Sequence, residues 1–463
     1  MHGRTAYLGP MLFTIVAGLF ACGGGSTAGG GGSGADDGGG GSGDPAPVVG
    51  LQTRIDDAVN SLWGDTCFAQ ADTSQCEWAD YEVGPAQFNM ARSTGESILI
   101  IDDFGAGFFP ELVRYRNRIL GFYRVNGDQI APEILSVHLP KRLGDVMISF
   151  AGPEFIPADA LAAVAVPTWP VYGKLNLLYY GHGGEIFTHL VELVPEHPLV
   201  LLDLNHLFDL PPVVCDGVDD RTLAAATTHF AAVAASLAQV MTEQHARFIN
   251  ASFGDTTSTV AANWPRACAG DVPDSEQLRQ LVHIYDPVYD VLFHSEGVVA
   301  AHAAANLGDP ADFPFDQVSP RYSNRVRVGF ISSRDSGLDE VGRGAVRKAE
   351  QFPVDGDADV YFNWGCEGPE VCADLHYRGA GVFGFASGTL PLMSTSYITP
   401  LGLARLANLR QVNHAAEPMS DALVQALKRE LTPALCGADA ALPCVYQDPI
   451  AHRQLELYRL GYE

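Results

Sequence analysis

The clearest periodicity in this chain lies in DRTLAAATTHFAAVAASLAQVMTEQ, which begins at Asp220. Leu223, Phe230 and Leu237 recur every seven residues, with Ala226, Val233 and Val240 beside them. That spacing lines one face of a helix, and its acidic start suits a helix N-terminus. A second pattern consists of short, continuous apolar runs: ILII from Ile98, LNLLYYG from Leu175, LVLLDL from Leu199, RFINASFG from Arg247, RVRVGFIS from Arg325 and DVYFNWG from Asp359. Runs of this kind, rich in branched residues and ended by Asp or Gly, read as strands buried on both faces. Strands alternating with helices predict an α/β domain around a mostly parallel sheet flanked by helices. Residues 48–95 read as an irregular extension with one small disulfide loop, and residues 413–463 as a helical extension.

Ligands of open parallel sheets bind beyond the carboxyl ends of the strands. The residues placed there are Asp102 and Asp103 after ILII, His182 after LNLLYYG, and Asn306 after VVAAHAAA. Late in the chain a polar cluster, STS, opens an apolar helical pattern at Ser396. A carboxylate, an imidazole, an amide and a hydroxyl are the parts of acyl transfer: orienter, base, oxyanion donor and nucleophile. Taken singly, each residue has a plainer role as a turn or a helix cap.

Composition narrows the setting. The 463 residues are 47% hydrophobic and 18% charged, enough to bury a large core. A formal charge of −27 argues against a nucleic-acid partner, which needs basic surface. The N-terminus has Arg4, then an apolar run from Met11 to Phe20, too short to span a bilayer and suited to a signal peptide. The run ends in Leu19-Phe20-Ala21-Cys22, which resembles a bacterial lipobox and implies a signal peptide over 1–21 with lipid on Cys22. A Gly/Ser-rich tether over 22–47 follows, flexible by composition. No transmembrane helix is expected beyond it. The expected location is the bacterial cell envelope, most simply the outer membrane, with the folded part periplasmic or extracellular. Eight further cysteines suit an exported chain with disulfides, and neighbouring pairs would be 67–76, 215–268, 366–372 and 436–444.

Five motifs, in order, resemble those of the subtilisin-like serine proteases. IIDDFGAGFFPEL is similar to the family's aspartate motif, with Asp102 at the catalytic position. GHGGEIFTHLVELVPEHPLVLLDL is similar to the histidine motif at His182. FINASFG resembles the strand lining the substrate cleft, VVAAHAAANLGDPADFPFD the oxyanion segment, and STSYITPLGLARLANL the nucleophile helix. The resemblance spans residues 96–412. It implies a three-layer subtilisin-like fold and a serine endopeptidase acting on peptides or proteins. The triad would be Asp102, His182 and Ser396, with Asn306 completing the oxyanion hole and Ser252, Phe253, Gly254 and Ala305 contacting substrate. No catalytic cofactor is implied. Structural calcium occurs in the family, and GDPADFPFD is an acidic loop of the right character.

The chain departs from the family at four positions. Ser394 and Ala305 stand where the family has glycine, Asp103 where it has Ser or Thr, and Glu185 where it has His. Asp103 is expected to raise the pKa of Asp102 if both are buried. No inhibitory pro-segment is recognisable before Asp102, so self-processing is not expected. Three other readings stand beside the protease. His182, Glu185 and His189 share a helix face that could take zinc, and the HGG of GHGG is reminiscent of an esterase oxyanion loop. The third is a surface lipoprotein that uses a subtilase fold for binding only.

Overall fold

The computed structural model describes residues 50–90, 93–104, 111–150, 156, 161–175, 181–304, 309–317, 319–331, 358–363, 395–431 and 445–446. The described residues belong to one compact unit. Cys22, its tether, and the cysteines at 366, 372, 436 and 444 lie outside the described residues.

In chain order the elements are α1 (Leu51–Trp63), α2 (Thr66–Ala69), β1 (Trp78–Val83), β2 (Ser97–Asp102), α3 (Glu111–Tyr115), β3 (Ile119–Asn126), β4 (Gln129–Glu133), β5 (Leu135–Pro140) and α4 (Lys141–Ser149). Then come α5 (Ala162–Leu175), α6 (Gly181–Leu193), β6 (Leu199–Asp203), α7 (Asp220–Glu243), β7 (Ala246–Ala251), α8 (Thr257–Ala267), α9 (Ser275–Val282), α10 (Asp286–His294) and β8 (Val299–Ala303). The chain continues through β9 (Arg325–Ile331), β10 (Val360–Asn363), α11 (Thr395–Asn413), α12 (Asp421–Leu431) and β11 (Val445–Tyr446).

Among the described residues the main sheet has nine strands in the order β11-β10-β9-β8-β7-β2-β6-β3-β4. Every neighbouring pair is parallel except the β3–β4 hairpin. Alternate residues of β2 divide between the two faces. Ile98 and Ile100 join Leu199, Leu201, Ile186, Leu190 and Leu403 in one core. Leu99 and Ile101 join Val200, Leu202, Phe230, Val233 and Leu292 in the other. Helices α6 and α11 therefore cover one face and α7 and α10 the opposite one, giving the three-layer α/β class expected from the sequence.

The helix read from the seven-residue spacing is α7. Asp219 caps it by accepting from Thr222 N–H at 2.8 Å, and the Thr222 hydroxyl bonds the Asp219 N–H at 3.0 Å, which completes a capping box. By length and composition α7 is apolar enough to cross a membrane. Its stripe of Ala226, Phe230, Val233, Leu237 and Val240 is instead buried against the sheet.

The stretch 48–95, read as irregular, holds regular elements among its described residues: α1 buries Ile55, Ala58 and Leu62 in the same core as β2, and β1 pairs antiparallel with β5. Of the stretch LNLLYYG only the ends are described, Leu175 closing α5 and Gly181 opening α6; residues 176–180 lie outside the described residues. The two-residue strand β11 lies within the extension read as helical. The β3–β4 hairpin went unread, although Asn126-Gly127 signals it. Gly127 has φ +67°, which a tight hairpin turn asks of glycine. Two expected disulfides are present, Cys67–Cys76 and Cys215–Cys268.

Candidate active site

From β2 the chain goes out to β3 and β4, returns to insert β6 beside β2, and then adds β7, β8 and β9 on the other side. The direction of growth switches at β2, and in open parallel sheets ligands bind at the carboxyl edge beside such a switch. Asp102 ends β2 and Ser252 directly follows β7 at this edge.

Asp102 is 2% exposed, and its Oδ1 takes two hydrogen bonds: the Asp103 N–H at 2.8 Å and His182 Nδ1 at 2.7 Å. Its carboxyl is pushed above the ordinary value, chiefly by burial, against the lowering pull of His182. Asp103 contributes the smallest upward push. Its side chain is exposed and accepts from Asn205 Nδ2 at 3.1 Å, so Asp103 raises the Asp102 pKa as expected but only weakly, the two carboxylates not being buried together.

His182 lies in the first turn of α6, and its side chain is 32% exposed. Backbone closeness holds it against Asp102: the Gly183 N–H donates to the Asp103 carbonyl at 3.1 Å. A Cβ on Gly183 would meet that oxygen at 2.8 Å and Phe104 Cδ1 at 3.0 Å. Gly183→Ala is therefore expected to push α6 off the strand end. Overpacking of this kind costs about 1–3 kcal/mol. The hydrogen bond between His182 and Asp102 should loosen as well, because His182 moves with the turn. A melting curve checks the first effect and the NMR shift of the His182 ring proton the second. The far end of α6 is fixed as well: buried Arg118 donates to the Val191 carbonyl, to Val194 O at 2.6 Å and to His197 O at 3.0 Å. Asn408 of α11 adds a bond to Leu193 O at 2.9 Å.

Ser396 sits in the first turn of α11. In a regular helix its carbonyl would receive the N–H four residues on, but that residue is Pro400, which has none. The Ser252 hydroxyl donates to it instead, at 2.9 Å. Asn250 Nδ2 in turn bonds the Ser252 Oγ at 2.9 Å. The Ser396 Oγ donates to the Ser252 carbonyl at 3.2 Å. Tyr397 carries its ring to within 5.1 Å of the His182 ring, centroid to centroid. The start of α11 is thus tied to the β7 edge on one side and to His182 on the other.

Phe253 is half-buried, with its ring 5.5 Å from that of Phe208, and Gly254 is exposed. Asn306, Ala305 and Ser394 lie outside the described residues, as does the side chain of Glu185. His189 lies on α6 with His182. Within the acidic loop, Asp309 and Asp312 both accept from Arg279, at 2.9 and 3.0 Å. Sequence reading missed Asn250, Tyr397, Pro400 and His302. Pro400 inside an otherwise helical pattern, and a histidine inside an Ala/Val strand, were the available signals.

Fold and site together define a three-layer α/β protein with a buried Asp hydrogen-bonded to a part-exposed His, and a serine-bearing helix start at the carboxyl edge of its sheet. No family profile matches the chain, and no curated protein matches it. Among solved structures it is similar to Pseudomonas sedolisin, a serine-carboxyl proteinase, complexed with two molecules of pseudo-iodotyrostatin. Identity is 11%, 82% of this chain and 99% of that one are covered, and the TM-score is 0.30. A TM-score that low does not establish a shared fold.

Proposed function

We propose that this chain is a serine endopeptidase of subtilisin type, with Ser396 as nucleophile, His182 as general base and Asp102 as orienter. The observation that carries the reading is the 2.7 Å hydrogen bond from His182 Nδ1 to buried Asp102, beside the start of the helix that bears Ser396. An acceptor-only carboxylate fixes hydrogen on Nδ1 and leaves Nε2 to take a proton.

In this mechanism an extended peptide lies along Ser252–Gly254. The Ser396 hydroxyl leaves the Ser252 carbonyl, gives its proton to His182 Nε2 and attacks the scissile carbonyl carbon. The imidazolium that forms is stabilised by Asp102 and then protonates the leaving amine. Water, deprotonated by His182, hydrolyses the acyl-enzyme. The first-turn N–H of Ser396 faces the developing oxyanion with the helix dipole behind it, and Asn306 supplies the second donor. Lipid on Cys22 and the Gly/Ser tether would hold the enzyme at the cell envelope, with peptides or proteins as substrates. The acidic loop would bind calcium only by giving up the pairing of Asp309 and Asp312 with Arg279. The test is a fluorophosphonate probe on the full chain, followed by mapping of the adduct. The adduct should fall on the peptide containing Ser396; an unlabelled protein leaves the binding-only lipoprotein as the better reading.

A further inference from the structure

The strip Ser252–Asp255 leaves β7 at the edge that carries Ser396, and it is held from the protein side at three points. Ser252 exchanges hydrogen bonds with Ser396. The N–H and the carboxylate of Asp255 both meet the Tyr289 hydroxyl, at 3.0 and 2.9 Å. Between them, the Phe253 carbonyl meets His302 Nε2 at 2.8 Å. His302 is 1% exposed, and its ring packs 4.9 Å from that of Phe293. It interrupts the apolar strand β8, and the proposed triad makes no use of it. Burying an imidazole there is costly unless its polar atoms are employed.

A carbonyl only accepts, so Nε2 must carry the hydrogen. Nδ1 faces Asp316 Oδ1 at 3.9 Å, beyond hydrogen-bond reach. Burial, with Arg325 and Arg327 nearby, holds the imidazole well below its usual pKa, so the ring is neutral. The peptide bond is planar and trans, so a Phe253 carbonyl turned inward to His302 turns the Gly254 N–H outward. Gly254 is exposed.

We propose that His302 is a positioning residue: by anchoring the Phe253 carbonyl it fixes the Phe253–Gly254 peptide plane and presents the Gly254 N–H to the backbone of an extended substrate. The substrate part rests on the endopeptidase reading; the anchor itself rests on the geometry above. The test compares full-length wild type, His302→Leu, which removes the donor, and His302→Gln, which keeps an N–H at similar reach. His302→Met replaces the Leu variant if that one does not fold.

For a hexapeptide substrate, KM in His302→Leu should rise about tenfold, the scale of one lost buried hydrogen bond. Fluorophosphonate labelling of Ser396, which places no extended substrate backbone along Phe253–Gly254, should stay within about twofold. His302→Gln should restore KM. Parallel loss of labelling and cleavage, or an unchanged KM in His302→Leu, overturns the proposal. If wild type neither labels nor cleaves, the endopeptidase reading falls, and amide exchange at Asp255 then decides the anchor. Faster exchange in His302→Leu alone upholds it, and equal exchange in all three proteins overturns it.

Discussion

Ser396→Ala should abolish peptide hydrolysis. The expected fall in turnover is about 10⁵–10⁶, the range seen when the nucleophile of such a triad is removed. It corresponds to roughly 7–8 kcal/mol of lost transition-state stabilisation. The fold should survive, because the backbone carbonyl of residue 396 still accepts from the Ser252 hydroxyl. Only the weaker contact, the 3.2 Å bond from the Ser396 Oγ to the Ser252 carbonyl, is removed. Steady-state kinetics on a peptide substrate, with melting curves for both proteins, give the answer. A variant that cleaves as fast as wild type would falsify the assignment of Ser396 as nucleophile.

Asp102→Asn should separate activity from stability. The asparagine amide has an oxygen to accept the Asp103 N–H but no charge to hold the imidazolium, and its NH₂ group favours the wrong histidine tautomer. Turnover should drop about 10⁴-fold, as this change does in a comparable triad. Stability should move the other way. The folded-state pKa of Asp102 is raised, mainly by burial, and its Oδ2 is buried without a hydrogen-bond partner among the described residues. A raised pKa gives stability that is fully present below the unfolded carboxyl value and lost as pH climbs through the folded one. At pH 7 the ionised carboxylate therefore costs stability. Asp102→Asn should melt no lower than wild type at pH 7, and its advantage should shrink as pH falls toward 4. A variant that melts well below wild type at neutral pH would show that the Asp102–His182 bond is a net source of stability.

Local chemistry made much of the frame readable. A run such as ILII can only be buried on both faces, and its alternate residues do enter the two opposite cores. The spacing in α7 and its acidic start gave both the helix and its capped end. The hairpin at Asn126-Gly127 was equally local and was simply overlooked. The Asp102 and His182 positions were legible because the motifs that carry them are short and contiguous.

Other parts of the site were not legible, and the reason is geometric. Nothing in the order of residues says that Ser252 replaces the donor missing at Pro400, since the two lie on separate elements that meet only when α11 packs beside β7. The same holds for Tyr397 against His182 and for His302 beneath Phe253. Asp103 shows the converse: sequence places it beside Asp102, but successive residues leaving a strand turn to opposite sides, so one is buried and the other exposed. The sequence by itself determined the alternation of strands and helices and the residue types brought to the strand ends, because burial patterns and strand-end chemistry are local. The tertiary structure alone decided which of those residues share hydrogen bonds and which carboxylate loses its water, because hydrogen-bond partnership and desolvation depend on elements far apart in the chain.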